Sequence, residues 1–336
     1  MLAARLTAIG TLSVEEVPRP APGANDLLVK VEACGICGSD RHMFRGEYPT
    51  ALPVTLGHEF SGIVEEAGAE VGGFRIGTRV TGDPNIACGQ CEHCLAGRPN
   101  LCPELTAIGV FRDGGFAEYV IVPESQAAAL PPGLNPLHGA FCEPVSCCLH
   151  AIDVARIPRG GSVAVLGGGV IGLLMVELAK RAGAGAIVLS TRQEPRRAAA
   201  RELGATHVVD PGAGDPVKAL AAIVPGGVDV VFECAGVAET FVQSVAMARR
   251  GGTIVVFGVM PQGEVVSVSP YDLLVKELRL ESAWLNPLTH KRAAELIASG
   301  ALSLDRLITR TVTLGEVPAA IAAKPAQGEI KIIATP

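Results

Sequence analysis

The stretch CGICGSDRH, residues 34–42, sets two cysteines, a serine, an aspartate and a histidine around two glycines, and LGHEF follows at 56–60. Cys37 and His58 are a soft and an intermediate ligand of the kind a catalytic zinc takes, each on a glycine-flanked loop. Glu59, and Glu143 in FCEPVS, add candidate carboxylate ligands. A centre with three or four protein ligands and an exchangeable water leaves room for a substrate oxygen. Ser39, two residues after Cys37, can take a proton from an alcohol bound there. Asp40 can accept a hydrogen bond from the free ring nitrogen of His58 and fix its tautomer. Turn chemistry is the rival reading of Ser39 and Asp40, and a CxxC redox pair that of Cys34 and Cys37.

A second cluster, CGQCEHCLAGRPNLC, holds Cys88, Cys91, Cys94 and Cys102 in the spacing C-x2-C-x2-C-x7-C. Four thiolates gathered by one loop suit tetrahedral zinc with no open position, hence a structural site. An iron–sulfur cluster and two disulfides are the alternatives, with zinc preferred.

GGGVIG places Gly167, Gly169 and Gly172 in a GxGxxG pattern, with Val170 and Ile171 between the last two. It follows an apolar strand and opens a helix, the context a pyrophosphate-binding turn requires. The next strand ends VLSTRQEPRR. No carboxylate sits at its tip to bind ribose hydroxyls; Thr191 stands there, with Arg192 and Arg196 beyond it. A hydroxyl beside guanidinium groups suits a 2′-phosphate, which favours NADP over NAD.

These residues need a scaffold. The chain has 336 residues, 49% of them hydrophobic, and 40 glycines, enough for two domains with their own cores. The first 151 residues carry short strand-like runs between Gly and Pro turns (LLVKVEAC, GIVEEAG, TRVTGD, AEYVIVP), as in an irregular mostly-β domain. Over 152–285 apolar strands alternate with helices (GSVAVLG, VIGLLMVELAKRAG, AIVLS, EPRRAAARELG), which implies a parallel sheet covered on both faces. Residues 286–336 return to mixed character, so the expected fold is α/β, with a discontinuous first domain interrupted by a doubly wound one.

A net charge of −6 argues against a nucleic-acid partner. The ten cysteines fall in short-spaced clusters, as metal ligands do in intracellular proteins. MLAARLTAIG lacks an apolar stretch long enough for a signal-peptide core, and no run approaches a membrane span. A cytoplasmic protein without a membrane partner is expected.

CGICGSDRH with LGHEF, the cysteine loop, GGFAEY, CEP and GGGVIG, in this order, resembles the zinc-dependent medium-chain dehydrogenases, and among them the sorbitol (polyol) branch. The resemblance covers nearly the whole chain. It implies a GroES-like catalytic domain and a Rossmann domain, catalytic zinc on Cys37, His58 and Glu59, and Glu143 completing the shell directly or through water. It further implies a proton relay through Ser39, the cofactor ribose and His42, a second zinc on the four cysteines, and a homodimer or homotetramer paired through a sheet edge that GGTIVVFGV and the VSVSPYDLL segment after it could supply. Cys34 is then packing. Tyr48, Phe116 and Glu143 match positions that shape the polyol pocket. Sorbitol dehydrogenases carry an Arg-Tyr pair where this chain has Trp284 and Leu285, which points to a smaller polyol, a vicinal diol or a simple secondary alcohol. The rival functions are a threonine dehydrogenase-like enzyme and a non-catalytic NADP-binding zinc protein.

Overall fold

The structure, a computed structural model, describes all of residues 1–336. The chain forms two compact units, Met1–Ser146 with Leu285–Pro336, and Cys147–Trp284. The sequence suggested boundaries after 151 and 285. The units divide after 146 and 284, and both 146 and 151 lie inside the helix Cys142–Ala155, where no break in secondary structure marks a change of unit.

In the discontinuous unit, a seven-stranded sheet is centred on Asp26–Ile36. That strand pairs antiparallel with Glu59–Ala67, with Tyr119–Pro123 and with the C-terminal strand Lys331–Thr335. Leu27, Val29, Val31 and Cys34 are buried along it in one core with Phe60, Phe116 and Ile332. Its register against Glu59–Ala67 shifts twice, between Leu28 and Val29 and between Val31 and Ala33. Such bulges bend a strand and re-aim the residues beyond them. Beyond them lie Gly35 and Ile36, and then Cys37, which caps the short helix Gly38–Phe44.

The segment after Leu285 is tied into this unit by a polar cluster. Asn286, buried, donates to Asp83 Oδ1 at 3.1 Å and to Ser146 Oγ at 2.9 Å, and accepts from Asn85 Nδ2 at 2.6 Å. Asp83 and Asn286 line a cleft of about 810 Å³ with His290, Asn85 and Leu105. Burial pushes the Asp83 carboxyl up to about 6, against the lowering effect of the Asn85 and Asn286 donors. A folded pKa above the unfolded value of about 3.9 stabilises the fold at low pH, and that contribution is lost as pH rises through about 6. Asp83→Asn therefore gains on the wild type by about 2–3 kcal/mol between pH 4.5 and pH 8. Denaturant melts of both proteins across that range measure the gain; a pH-independent difference contradicts it.

The second unit holds a six-stranded parallel sheet. Its order is His207–Val209, Ala186–Ser190, Ser162–Leu166, Val228–Glu233, Ala248–Val256, Arg279–Ser282. This is the 3-2-1-4-5-6 order of a dinucleotide-binding sheet, with ligands bound where the order reverses. Val163–Leu166, Ile187–Leu189 and Val230–Phe232 are buried, as strands covered on both faces must be.

The expected edge is corrected. Thr253–Val256 pairs on both sides and so lies inside the sheet. Pro270–Val275 is a helix, because Ser269 accepts from the Asp272 N–H as its cap and Pro270 starts the first turn. The edge is Arg279–Ser282, exposed at every residue. No helix is long and apolar enough to cross a membrane.

Candidate metal centre and nucleotide site

Cys37 leaves the central strand in an extended conformation, and its N–H donates to Asp40 Oδ2 at 2.8 Å. The other oxygen, Asp40 Oδ1, lies 3.5 Å from His58 Nδ1. Both atoms are buried and have no other hydrogen-bond partner. Asp40 thus braces the thiol's backbone and the imidazole together. His58 Nε2 is left facing Ser39, whose Oγ is 3.3 Å away. Burial opposes a charge on His58 and the Asp40 carboxylate outweighs it, raising the imidazole well above its usual range. A carboxylate that favours a proton on the ring equally favours a metal cation at the opposite nitrogen.

The ligand atoms of Cys37, His58 and Glu59 lie within 4.8 Å of one another. A thiol, an imidazole and a carboxylate so converged, with the imidazole's far nitrogen braced, fit a zinc ion with an open position. Glu143 sits in the first turn of Cys142–Ala155, nearly buried, and is not part of that convergent trio. Tyr48 is half-buried; burial raises its phenol, and it feels the charges of His58 and Cys37. His42 is at the surface, its Nδ1 2.6 Å from Glu47 Oε2. Phe116 corrects the pocket expectation. It is 0% exposed and its N–H donates to Leu56 O at 2.9 Å, so it backs the turn before His58 and offers no face to a substrate. Trp284 is 41% exposed.

Sequence reasoning missed one residue here. Lys331, 1% exposed on the last strand, places its ammonium against Glu59 Oε2. GEIKIIATP reads as an ordinary terminal strand. The signal lay in its pairing beside the strand that leads to Cys37, which only the sheet order shows.

The four cysteines of the other loop also converge, with all sulfurs within 4.8 Å. All four are free thiols, with Cys91 and Cys94 Sγ 3.5 Å apart. Backbone N–H groups of Gln90 and Cys91 pull the Cys88 thiol down to about 7. Amides already aimed at sulfur stabilise thiolate, the form that binds metal.

In the nucleotide turn, Gly167 has φ +108°, and a Cβ on Gly172 would collide with the Gly167 carbonyl. Glycine at both positions lets the helix Val170–Arg181 start tight against the strand, with Gly169 at its cap and Val170 and Ile171 in its first turn. Thr191 is buried over Gly168. Arg197 is engaged with the Thr191 carbonyl at 2.7 Å, Glu194 at 2.7 Å and Asp210 at 3.0 Å. Glu194 is also bound by Arg201, which neutralises its field. Arg192 is exposed and Arg196 half-buried beside this turn.

A convergent Cys-His-Glu trio in a mostly-β unit, on one chain with a dinucleotide-binding sheet, is the build of a metal-dependent nicotinamide oxidoreductase. Residues 23–132 match the alcohol dehydrogenase GroES-like domain and 170–299 the zinc-binding dehydrogenase domain. The chain is 34% identical over 331 residues to the sorbitol dehydrogenase of Halalkalibacterium halodurans, covering 97% of this chain and 96% of that protein. It is 33% identical over 308 residues to the L-threonine 3-dehydrogenase of Bacillus subtilis, covering 90% and 88%. A solved zinc-binding dehydrogenase of Sinorhizobium meliloti, bound to NADP, is 57% identical and covers 100% of this chain and 99% of that one, with a TM-score of 0.98. The chain belongs to the zinc-dependent medium-chain dehydrogenases and is an oxidoreductase.

Proposed function

We propose that the protein oxidises a secondary alcohol or small polyol, and reduces the matching ketone, with NADP preferred. The convergence of Cys37, His58 and Glu59 with Ser39 beside the imidazole carries this reading. Zinc held by that trio would supply Lewis-acid polarisation of the substrate oxygen, and the nicotinamide the hydride acceptor. The chain's own side chains orient the substrate and move its proton. The Ser39 hydroxyl stands where it can accept the proton of an alcohol placed at the centre. His42, hydrogen-bonded at the surface to Glu47, is the group that exchanges that proton with solvent. Asp40 holds Cys37 and His58 in place while the charge shifts. Glu143 is the candidate fourth ligand, and the four-cysteine loop the second, structural zinc site.

Thr191, Arg192 and Arg196 support NADP, as does the NADP found in the Sinorhizobium meliloti structure. Alanine at both Arg192 and Arg196 is expected to raise the KM for NADP about tenfold or more, since each charge-assisted bond contributes about 1.5–3 kcal/mol. The KM for NAD should stay within about twofold. Initial rates with each cofactor measure this, and a parallel loss with both would refute the phosphate-site assignment.

Trp284 and Leu285 stand where the sorbitol branch has Arg and Tyr, which supports a substrate with fewer hydroxyls. A panel of diols, pentitols, simple secondary alcohols and L-threonine tests the class. Turnover of L-threonine alone would replace the polyol reading. The exposed edge strand Arg279–Ser282, with Leu280 52% exposed, supports pairing with a second copy to extend the sheet. Sedimentation of a Leu280→Glu variant tests that pairing.

A further inference from the structure

The central strand brings two ionisable groups together across a residue without a side chain. Gly35 pairs with Glu59 on one side and with Ile333 on the other. A Cβ at Gly35 would collide with Glu59 Oε2 and stand 2.7 Å from Lys331 Cε and 3.0 Å from its Nζ. Glycine is therefore what lets Glu59 and Lys331 meet. The ammonium also donates to Ile36 O at 3.1 Å, and both partners are 1% exposed.

Such a pair is a poor stabilising device. Desolvating two charges offsets most of their attraction, and an apolar pair of similar volume often packs as stably. Lys331 is nonetheless built in here, its ammonium held between Glu59 Oε2 and the Ile36 carbonyl and closed off from solvent. One oxygen of Glu59 is thus committed to an internal cation in the same centre that would bind a divalent ion. A thiolate and the carboxylates of Glu59 and Asp40 would together outweigh the charge of that ion. Lys331 offsets one of these negative groups, so less negative charge opposes an oxygen gaining negative charge on the substrate.

We infer that Lys331 is a positioning residue that competes with the metal for Glu59, weakening that carboxylate as a ligand and keeping a coordination position open for substrate. The inference rests on the reading that Cys37, His58 and Glu59 hold zinc.

The test follows zinc release from the full-length zinc-loaded protein into a chromogenic chelator, with the visible spectrum of the cobalt-substituted protein as a second readout. Lys331→Met is expected to release zinc from this centre about tenfold more slowly than wild type, the low end of what a partner of a metal ligand commands. Its cobalt bands should shift as Glu59 binds more firmly, and kcat should fall. Lys331→Arg keeps the wild-type release rate. In a Glu59→Gln background, Lys331→Met has no further effect on release. Faster release from Lys331→Met, as for a merely supporting partner, overturns the inference, as does an effect that persists without the Glu59 carboxylate. Glu59→Gln alone gives a second test should Lys331→Met not fold. Its zinc release should change less than about tenfold, because the carboxylate is already held back; a loss of about a hundredfold overturns the inference. Wild-type protein that binds zinc only at the four-cysteine loop would instead refute the metal-centre reading itself.

Discussion

Cys37→Ala is expected to lower kcat/KM by about 10³-fold or more, because it removes one of the three ligands proposed for the zinc that would polarise the alcohol. The fold should survive. Cys37 is only partly buried, the helix it caps has only seven residues, and the bond from its N–H to Asp40 Oδ2 survives loss of the sulfur. Zinc content should fall by one ion per chain, with the thermal midpoint within a few degrees of wild type. Nicotinamide reduction, zinc analysis and thermal melting on the same preparation decide the outcome. Retained turnover would remove Cys37 from the metal centre. Loss of turnover together with loss of the fold would make it structural.

Cys94→Ser should show the opposite pattern. The loop 88–102 has few buried residues, with only Cys102 among its cysteines in the buried class, so little apolar area holds it closed. Its closure depends on what joins the four sulfurs. Structural zinc contributes folding free energy outright, and its loss is expected to cost about 3 kcal/mol or more. Denaturant melts should show Cys94→Ser destabilised by that amount and no longer sensitive to chelator, whereas wild type becomes so destabilised only after chelation. Protease cleavage within the loop should rise in parallel. An unchanged midpoint would show that hydrogen bonds such as Cys88 N–H to the Cys102 Sγ, 3.4 Å, already suffice to close it. The two variants together separate a centre that does chemistry from one that holds a lobe.

What was legible in the sequence was whatever a short segment encodes by itself. Four cysteines within fifteen residues can meet at little entropic cost, because the loops that must close between them are short. GGGVIG between an apolar strand and an amphipathic helix must make a phosphate turn, because the residues that form it are adjacent. Cys37 and Asp40 lie three apart, one helical turn, so their mutual bracing is also local. The pairing of CGICGSDRH with LGHEF came from motif resemblance, and the antiparallel register of Gly35 with Glu59 explains how it is built.

The tertiary structure alone decided what depends on strand order and on burial from the far side. Lys331 is 272 positions from Glu59, and nothing near either residue marks the other. They meet because the last strand pairs with the third rather than forming an edge. Phe116 carries an aromatic ring fit for a pocket, yet core packing behind Leu56 and Gly57 takes it out of reach. The sheet edge moved from GGTIVVFGV to Arg279–Ser282 for the same reason. A strand's alternation shows which residues are apolar but not how many neighbours it will have. Local chemistry is written in spacing, whereas the surroundings that tune it, such as the cation beside Glu59, arise from long-range pairing that no window of sequence contains.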